Sequence, residues 1–428
     1  MYTTIGYFCD FLQQSHPLVL IGLILLASYF GGRAAHYFKS PRVTGYLVTG
    51  VILSPSVLGI LQEEVMSEKL GLITDIALAI IAFSIGGSLE LEKLRKIGKQ
   101  IFWITLSESM GAFLITTGLL GLFFYFLHDW IAIPAAGLST FAAIALMLGS
   151  ISAATAPAAT LAILHEYGGK GAFTSILLGV VGLDDGMAII LSAFSITIVR
   201  SVLTVESLNW LMFFVSICQS ILIALVLGAA AGWLLRFLMG SVIRRESMLS
   251  VMIGTILLIS GLASNLDASP LLANMMLGFM VVNHVARHNE LFTMVESMED
   301  PIFGMFFVLA GARLNLDVLR TSGLLAVILI LVRFAGKLLG AYLGARISQA
   351  PSNVRKYLGY CLLPQAGVAI GLILEATAVM ESSHLSTIML NAVLGSVAIN
   401  ELLTPLFVRF SIIQAGDVNH KAVISENR

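Results

Sequence analysis

Apolar positions in this chain fall into long, nearly unbroken runs and do not alternate with polar ones. Thirteen runs stand out, at 17–38, 43–61, 70–89, 101–127, 132–164, 171–199, 208–235, 247–264, 269–286, 300–314, 321–345, 357–379 and 385–411. A helix needs about 20 apolar residues to cross a bilayer, and no period-two pattern competes with a helical reading. The pattern therefore predicts an all-α integral membrane protein of about 13 transmembrane helices. Residues 412–428 form a short polar tail.

Two runs are interrupted. The fifth reads GSISAATAPAATLAIL, with Pro157 in mid-course among small residues, and the twelfth reads GYCLLPQAGVAIGLIL, with Pro364 and Gly367. Proline removes a helix hydrogen bond and clashes with the preceding turn. Backbone groups freed in this way are tolerated at membrane depth only against protein or a water-filled cavity. Paired interrupted helices in two halves of a chain mark the binding site of a transporter. The two runs are seven apart, and an odd offset inverts topology. The expectation is one membrane domain over 1–428, with inverted repeats at 17–199 and 247–411 joined by a linker helix at 208–235. The breaks bring helix ends, with their partial charges, toward the middle of the membrane.

Composition agrees with the pattern. Of 428 residues, 58% are hydrophobic and 11% charged, against about 25% charged in soluble domains. The net charge of −1 offers nothing to nucleic acid. Cys9, Cys218 and Cys361 are scattered and have no metal spacing. Lysine and arginine alternate between connections: eighteen, among them Lys93, Arg95, Lys96 and Lys99, fall on one side, and four (Lys69, Arg200, Arg313 and Arg320) on the other. The basic side is cytoplasmic. This places the N-terminus outside, the C-terminus in the cytoplasm, and the protein in a cell inner or plasma membrane.

Ionisable residues within spans are costly and mark function. Here they are Asp75, Glu108, Asp184, Asp185, Arg333, Lys337 and Glu401. Glu108, Arg333 and Glu401 are candidates for structural ion pairs between helices. Asp184 and Asp185 are the candidate cation- and proton-binding pair, and the only metal-ligating carboxylates proposed. Neighbours on a helix point about 100° apart, so one can meet a cation on another helix while the other faces a cavity. Mutual repulsion and burial favour their protonated forms. Lys337 is the natural salt-bridge partner and a candidate proton carrier. Thr155 and Ser152, beside Pro157, supply further oxygens for a hard cation.

Several segments resemble the monovalent cation–proton antiporter superfamily, and within it the cation–proton antiporter-2 branch of sodium/proton exchanger type. They are FSIGGSLELEKLRKIGK (83–99), TAPAATLAILHEYG (155–168), GLDDGMAII (182–190), SPLLANMMLGFMVVN (269–283), DPIFGMFFVLAGARLNL (300–316), RFAGKLLGAYLGAR (333–346), LPQAGVAIGLILE (363–375) and NELLTPLF (400–407). The resemblance implies that Asp185 carries the ion and proton, that Asp184 bridges to Lys337 and that Thr155 lines a crossing of two discontinuous helices. It also implies a homodimer in which a six-helix core moves as an elevator against a dimerisation domain. Glutathione-gated potassium–proton antiporters carry Gln where this chain has Asp184, which argues against that subtype.

The expected function is electrogenic exchange of sodium, or else lithium or potassium, for protons, with no cofactor and no enzymatic activity. The alternative is a sodium-coupled organic-anion symporter of related fold. An intramembrane aspartyl protease needs two carboxylates on different helices facing one water, which consecutive residues do not provide. A passive channel has no use for a buried lysine.

Overall fold

The computed structural model describes residues 16–38, 40–62, 66, 70–127, 138–204, 210–241, 245–266, 268–313, 316–365, 367–379 and 384–417. Most of the polar tail lies outside these. Among the described residues there are fifteen substantial helices and no strand. They are α1 (Pro17–Tyr37), α2 (Arg42–Leu53), α3 (Gly71–Gly87), α4 (Leu91–Leu127), α5 (Leu138–Ala153), α6 (Pro157–Glu166), α7 (Ala172–Thr204) and α8 (Trp210–Ser241). There follow α9 (Arg245–Asn265), α10 (Pro270–His284), α11 (His288–Ala312), α12 (Leu316–Ile347), α13 (Ser352–Cys361), α14 (Gly367–Val379) and α15 (His384–Ala415).

Helix starts follow local chemistry. Pro17 and Pro270 occupy first turns, where a missing N–H costs nothing. The Ser269 hydroxyl caps α10 by accepting from Leu272 N. Some helices outrun their apolar stretch. α4 begins at Leu91, taking in the charged LEKLRKIGKQ segment. Lys, Glu and Arg are good helix formers, and Glu92 and Lys96 face each other one turn apart at 3.8 Å. α11 likewise begins at His288, ahead of the run at 300–314. In the second run, α2 stops at Leu53, just before Pro55.

Among the described residues, eight helical stretches are long and apolar enough to cross a membrane, while α2 and α3 are shorter apolar helices. Large apolar side chains lie exposed on their outer faces, among them Leu26, Phe30, Leu114, Phe126, Trp233, Phe237, Leu331 and Leu339. In water such a surface marks a contact site; on helices long and apolar enough to cross a membrane it suits lipid.

The helices pack in two groups. In one, α4 lies along α12 and α5, α12 packs on α13 and α15, and α7 and α14 complete the set. In the other, α3, α8, α9 and α10 associate, and α11 joins α1, α2 and α3. α6 touches both, through α15 and α7 on one side and α2 and α3 on the other.

The α4–α12 contact matters most for the site, and glycines create it. A Cβ at Gly336 would lie 2.8 Å from both the Gly111 carbonyl oxygen and the Ala112 Cα. One at Gly340 would collide with the Ser107 carbonyl oxygen and lie 2.7 Å from the Glu108 Cα. Bare backbone on α12 thus sets Glu108 against the turn that carries Lys337. Gly340→Ala is expected to force the helices apart at a cost of about 1–3 kcal/mol, the usual range for overpacking. Thermal unfolding of the purified variant in detergent checks this, with the midpoint falling by several degrees.

Candidate functional site

The backbone breaks twice, and the breaks meet. α5 ends at Ala153 and α6 starts at Pro157; α13 ends at Cys361 and α14 starts at Gly367. Ala156, just before Pro157, is extended, as the residue before a proline prefers. Its N–H donates to the Pro364 carbonyl at 2.9 Å, tying one break to the other. Thr155 Oγ1 donates to Leu362 O, Thr160 Oγ1 to Cys361 O, and Gln365 Nε2 to Ile151 O. Asn400 Nδ2 on α15 holds the other end of the Gln365 amide at 3.2 Å.

These contacts still leave carbonyls at the ends of α5 and α13, where the last turn of a helix has no N–H donors of its own to offer them. Arg333 on α12 meets them. Its Nε donates to Ser152 O (3.0 Å), Nη1 to Leu363 O (2.6 Å) and Nη2 to Ala154 O (2.7 Å) and, more weakly, to Pro364 O (3.4 Å). Arg333 is wholly buried. The sequence suggested a carboxylate for it; the structure gives it carbonyls, because two helix C-termini converge there and carry the negative ends of their dipoles. Glu401 differs too. It is buried on α15 and makes no ion pair among the described residues.

One turn further along α12, Lys337 is also wholly buried. Its Nζ donates to Asp184 Oδ2 (2.9 Å), to Thr155 Oγ1 (2.7 Å) and to the Ala153 carbonyl. Glu108 Oε2 lies 2.7 Å from the same nitrogen. The other Asp184 oxygen, Oδ1, is 2.9 Å from Ser109 Oγ. Both Asp184 oxygens are therefore engaged, and this carboxylate belongs to the lysine. Ser152 also departs from the ligand set: its hydroxyl donates to Leu148 O within its own helix, and its carbonyl holds Arg333.

Asp185 is turned the other way. It lines a cavity of about 260 Å³ with Ala82 and Ile85 of α3, Pro157 of α6, and Ser269 and Met275 at α10. Its Oδ1 is buried without a hydrogen-bond partner among the described residues. The cavity sits where the two packing groups adjoin. Its lining is mainly apolar, and among the described residues Asp185 is its one charged member.

Asp184, Lys337, Thr155 and Glu108 thus form one contact network, with Arg333, Ser152, Pro157 and Pro364 beside it and Asp185 facing the open side. Sequence reasoning missed Ser109, and it missed Glu108 as a neighbour of the lysine. A buried acid beside a serine was the only local signal. It also passed over His165 on α6, whose Nδ1 lies 2.5 Å from Glu299 Oε2 on α11.

With this geometry in place, comparison with known proteins is decisive. The family model for the transmembrane region of sodium/hydrogen exchangers matches residues 21–410. The chain belongs to the sodium/hydrogen exchanger family. It is a multi-pass membrane transport protein of a family that performs sodium–proton antiport. It is 24% identical over 398 residues to a Na(+)/H(+) antiporter of Enterococcus hirae, covering 91% of this chain and 97% of that one. It is 24% identical over 331 residues to the probable Na(+)/H(+) antiporter GerT of Bacillus cereus, covering 76% and 81%. Its fold is similar to that of the sodium proton antiporter MjNhaP1 of Methanocaldococcus jannaschii at pH 8. The TM-score is 0.69 at 17% identity, over 93% of this chain and 98% of that one. A map of the same antiporter gives 0.70 at 16% identity.

The exchanger's broken helices depend on Arg333 for closure. Arg333→Ala strands several buried carbonyls together and is expected to destabilise the fold by about 3–5 kcal/mol, as when a buried charge contact loses one partner. Arg333→Lys keeps the charge but not the fork, and is expected to recover only part of this. Thermal unfolding of both variants in detergent measures the difference.

Proposed function

We propose that this chain exchanges a monovalent cation, sodium in the first place and lithium or potassium as alternatives, for protons across a cell membrane. The observation that carries the reading is the division of labour between adjacent carboxylates. Asp184 is committed to Lys337, while Asp185 faces the cavity with an oxygen that has no partner among the described residues. A carboxylate in that position binds a hard cation when ionised and holds a proton when it is not. It cannot do both at once, and this couples the two fluxes.

Alternating access would come from relative movement of the two packing groups, whose junction the cavity occupies, in an elevator-type cycle. The group that holds α8, α9 and α10 would stay fixed as the dimerisation domain of a homodimer. The inverted repeats at 17–199 and 247–411, with their linker at 208–235, would supply the symmetry of inward- and outward-facing states. The sidedness of lysine and arginine supports an external N-terminus and a cytoplasmic C-terminus. The organic-anion symporter gains no support. Arg333 and Lys337 are both spent within the protein, and among the described residues the cavity's one charged group is an acid, which repels an anion.

Asp185→Asn can neither titrate nor supply charge. It is expected to abolish sodium-dependent proton movement in proteoliposomes while the protein still purifies as a folded species. Wild-type-like exchange by this variant would remove Asp185 from the site.

Lys337 enters the cycle when a cation at Asp185 draws on Asp184 and weakens its bridge. The lysine then releases its proton. Two protons, one from Asp185 and one from Lys337, move against one cation, so each turnover carries one net charge. A potential of 100 mV acts on that charge by about 2.3 kcal/mol. Exchange is expected to respond to an imposed potential, and whatever exchange survives in Lys337→Gln to ignore it. A potential-independent wild type under matched ion gradients refutes the two-proton cycle.

A further inference from the structure

Glu108 has no part in the cycle above, yet it is wholly buried and its Oε2 lies 2.7 Å from Lys337 Nζ. Hydrogen counting defines its state. An ammonium group has three hydrogens, and here they go to Ala153 O, Thr155 Oγ1 and Asp184 Oδ2. None is left for Glu108: its Oε2, though close, has no hydrogen bond. On the far side, Ser109 Oγ is 2.9 Å from Glu108 Oε1 and 2.9 Å from Asp184 Oδ1. A hydroxyl has one hydrogen, and two ionised carboxylates would compete for it. One of the two contacts would then set lone pair against lone pair. A second hydrogen resolves both contacts.

Asp184 receives an ammonium hydrogen and Glu108 receives none, so the extra proton belongs on Glu108. The order is then Glu108 Oε1–H to Ser109 Oγ, and Ser109 Oγ–H to Asp184 Oδ1. Charge agrees with the count. Of the helices packed closely on α4, α12 brings Arg333 and Lys337, α7 brings Asp184 and Asp185, and α5 brings no titratable side chain over Leu138–Ala153. Arg333 is already balanced by helix-end carbonyls. Lys337 with Asp184 alone is neutral, whereas a second carboxylate would leave an uncompensated charge in a dry site, which is strongly unfavourable.

We propose that Glu108 is a neutral, proton-bearing acid that positions Asp184 through Ser109 and leaves Lys337 with a single counter-charge. A charged Glu108 would hold the lysine's proton whatever Asp184 did. A neutral one lets the lysine release it when Asp184 is drawn away. Glu108 is thus a positioning residue, and its role rests on the antiporter reading given above.

Infrared difference spectroscopy of the purified wild type against Glu108→Gln tests the protonation state without any transport. The carbonyl stretch of a buried protonated carboxylic acid is expected in the wild type at neutral pH, shifted in D2O and missing from the variant. A spectrum in which only carboxylate bands are lost overturns the proposal. Transport tests the role. Glu108→Gln keeps a neutral donor and is expected to restore the pH profile of exchange that Glu108→Ala displaces by about one unit or more, the scale of a changed neighbour. Displacement by Gln as large as by Ala overturns the proposal. Absence of exchange in the wild type would instead defeat the antiporter reading, and the infrared result would still stand.

Discussion

Everything at the centre of this protein depends on two cations, one turn apart on α12, holding the carbonyl ends of two broken helices. Residues four apart share a helix face, so Arg333 and Lys337 reach the same junction together. The breaks cost the backbone several hydrogen bonds in a place where water is scarce, and each unsatisfied group there costs on the order of several kcal/mol. Arg333 meets this need with a rigid fork of donors across Ser152, Ala154 and Leu363. Lys337 meets it at Ala153 and spends its remaining hydrogens on Thr155 and Asp184. A buried cation is otherwise very unfavourable. Helix ends and charges are each poor company for lipid, and here each neutralises the other.

That arrangement also explains why two adjacent aspartates have different lives. A helix turns about 100° per residue, so Asp184 faces α12 and Asp185 faces the cavity lined by α3, α6 and α10. The first is surrounded by donors and remains tied to the protein. The second has room beside it and an oxygen without a partner among the described residues. Their proximity links them: charge arriving at one changes the field at the other across a very short distance in a low-dielectric site.

Close packing provides the rigidity such a site needs. Gly336 and Gly340 let α4 and α12 meet backbone to backbone, and this contact puts Glu108 and Ser109 within reach of Lys337 and Asp184. Small residues serve this purpose generally in membrane helices, where no hydrophobic force draws apolar faces together. The cavity, by contrast, lies where the two packing groups adjoin, and the helices touch less across that junction than within either group.

The amino-acid order alone determined the helical class, the position of each apolar run, the two proline breaks and the short list of costly charges. These follow from local physics: transfer of side chains to lipid, the missing proline N–H and the price of burying charge. Folding decided the partners. Arg333 was expected against a carboxylate and found carbonyls, because two helix ends separated by some 200 residues converge on it. Glu108 was a candidate for an ion pair between helices with no partner named, until glycine contacts brought α4 onto α12 and set it beside Lys337. Ser152 and Thr155 looked alike beside Pro157, yet one hydroxyl bonds its own helix and the other meets Lys337. Spacing along a helix limits which directions a side chain can point. Which atoms wait there depends on segments far away in the chain, and only the packed structure supplies them.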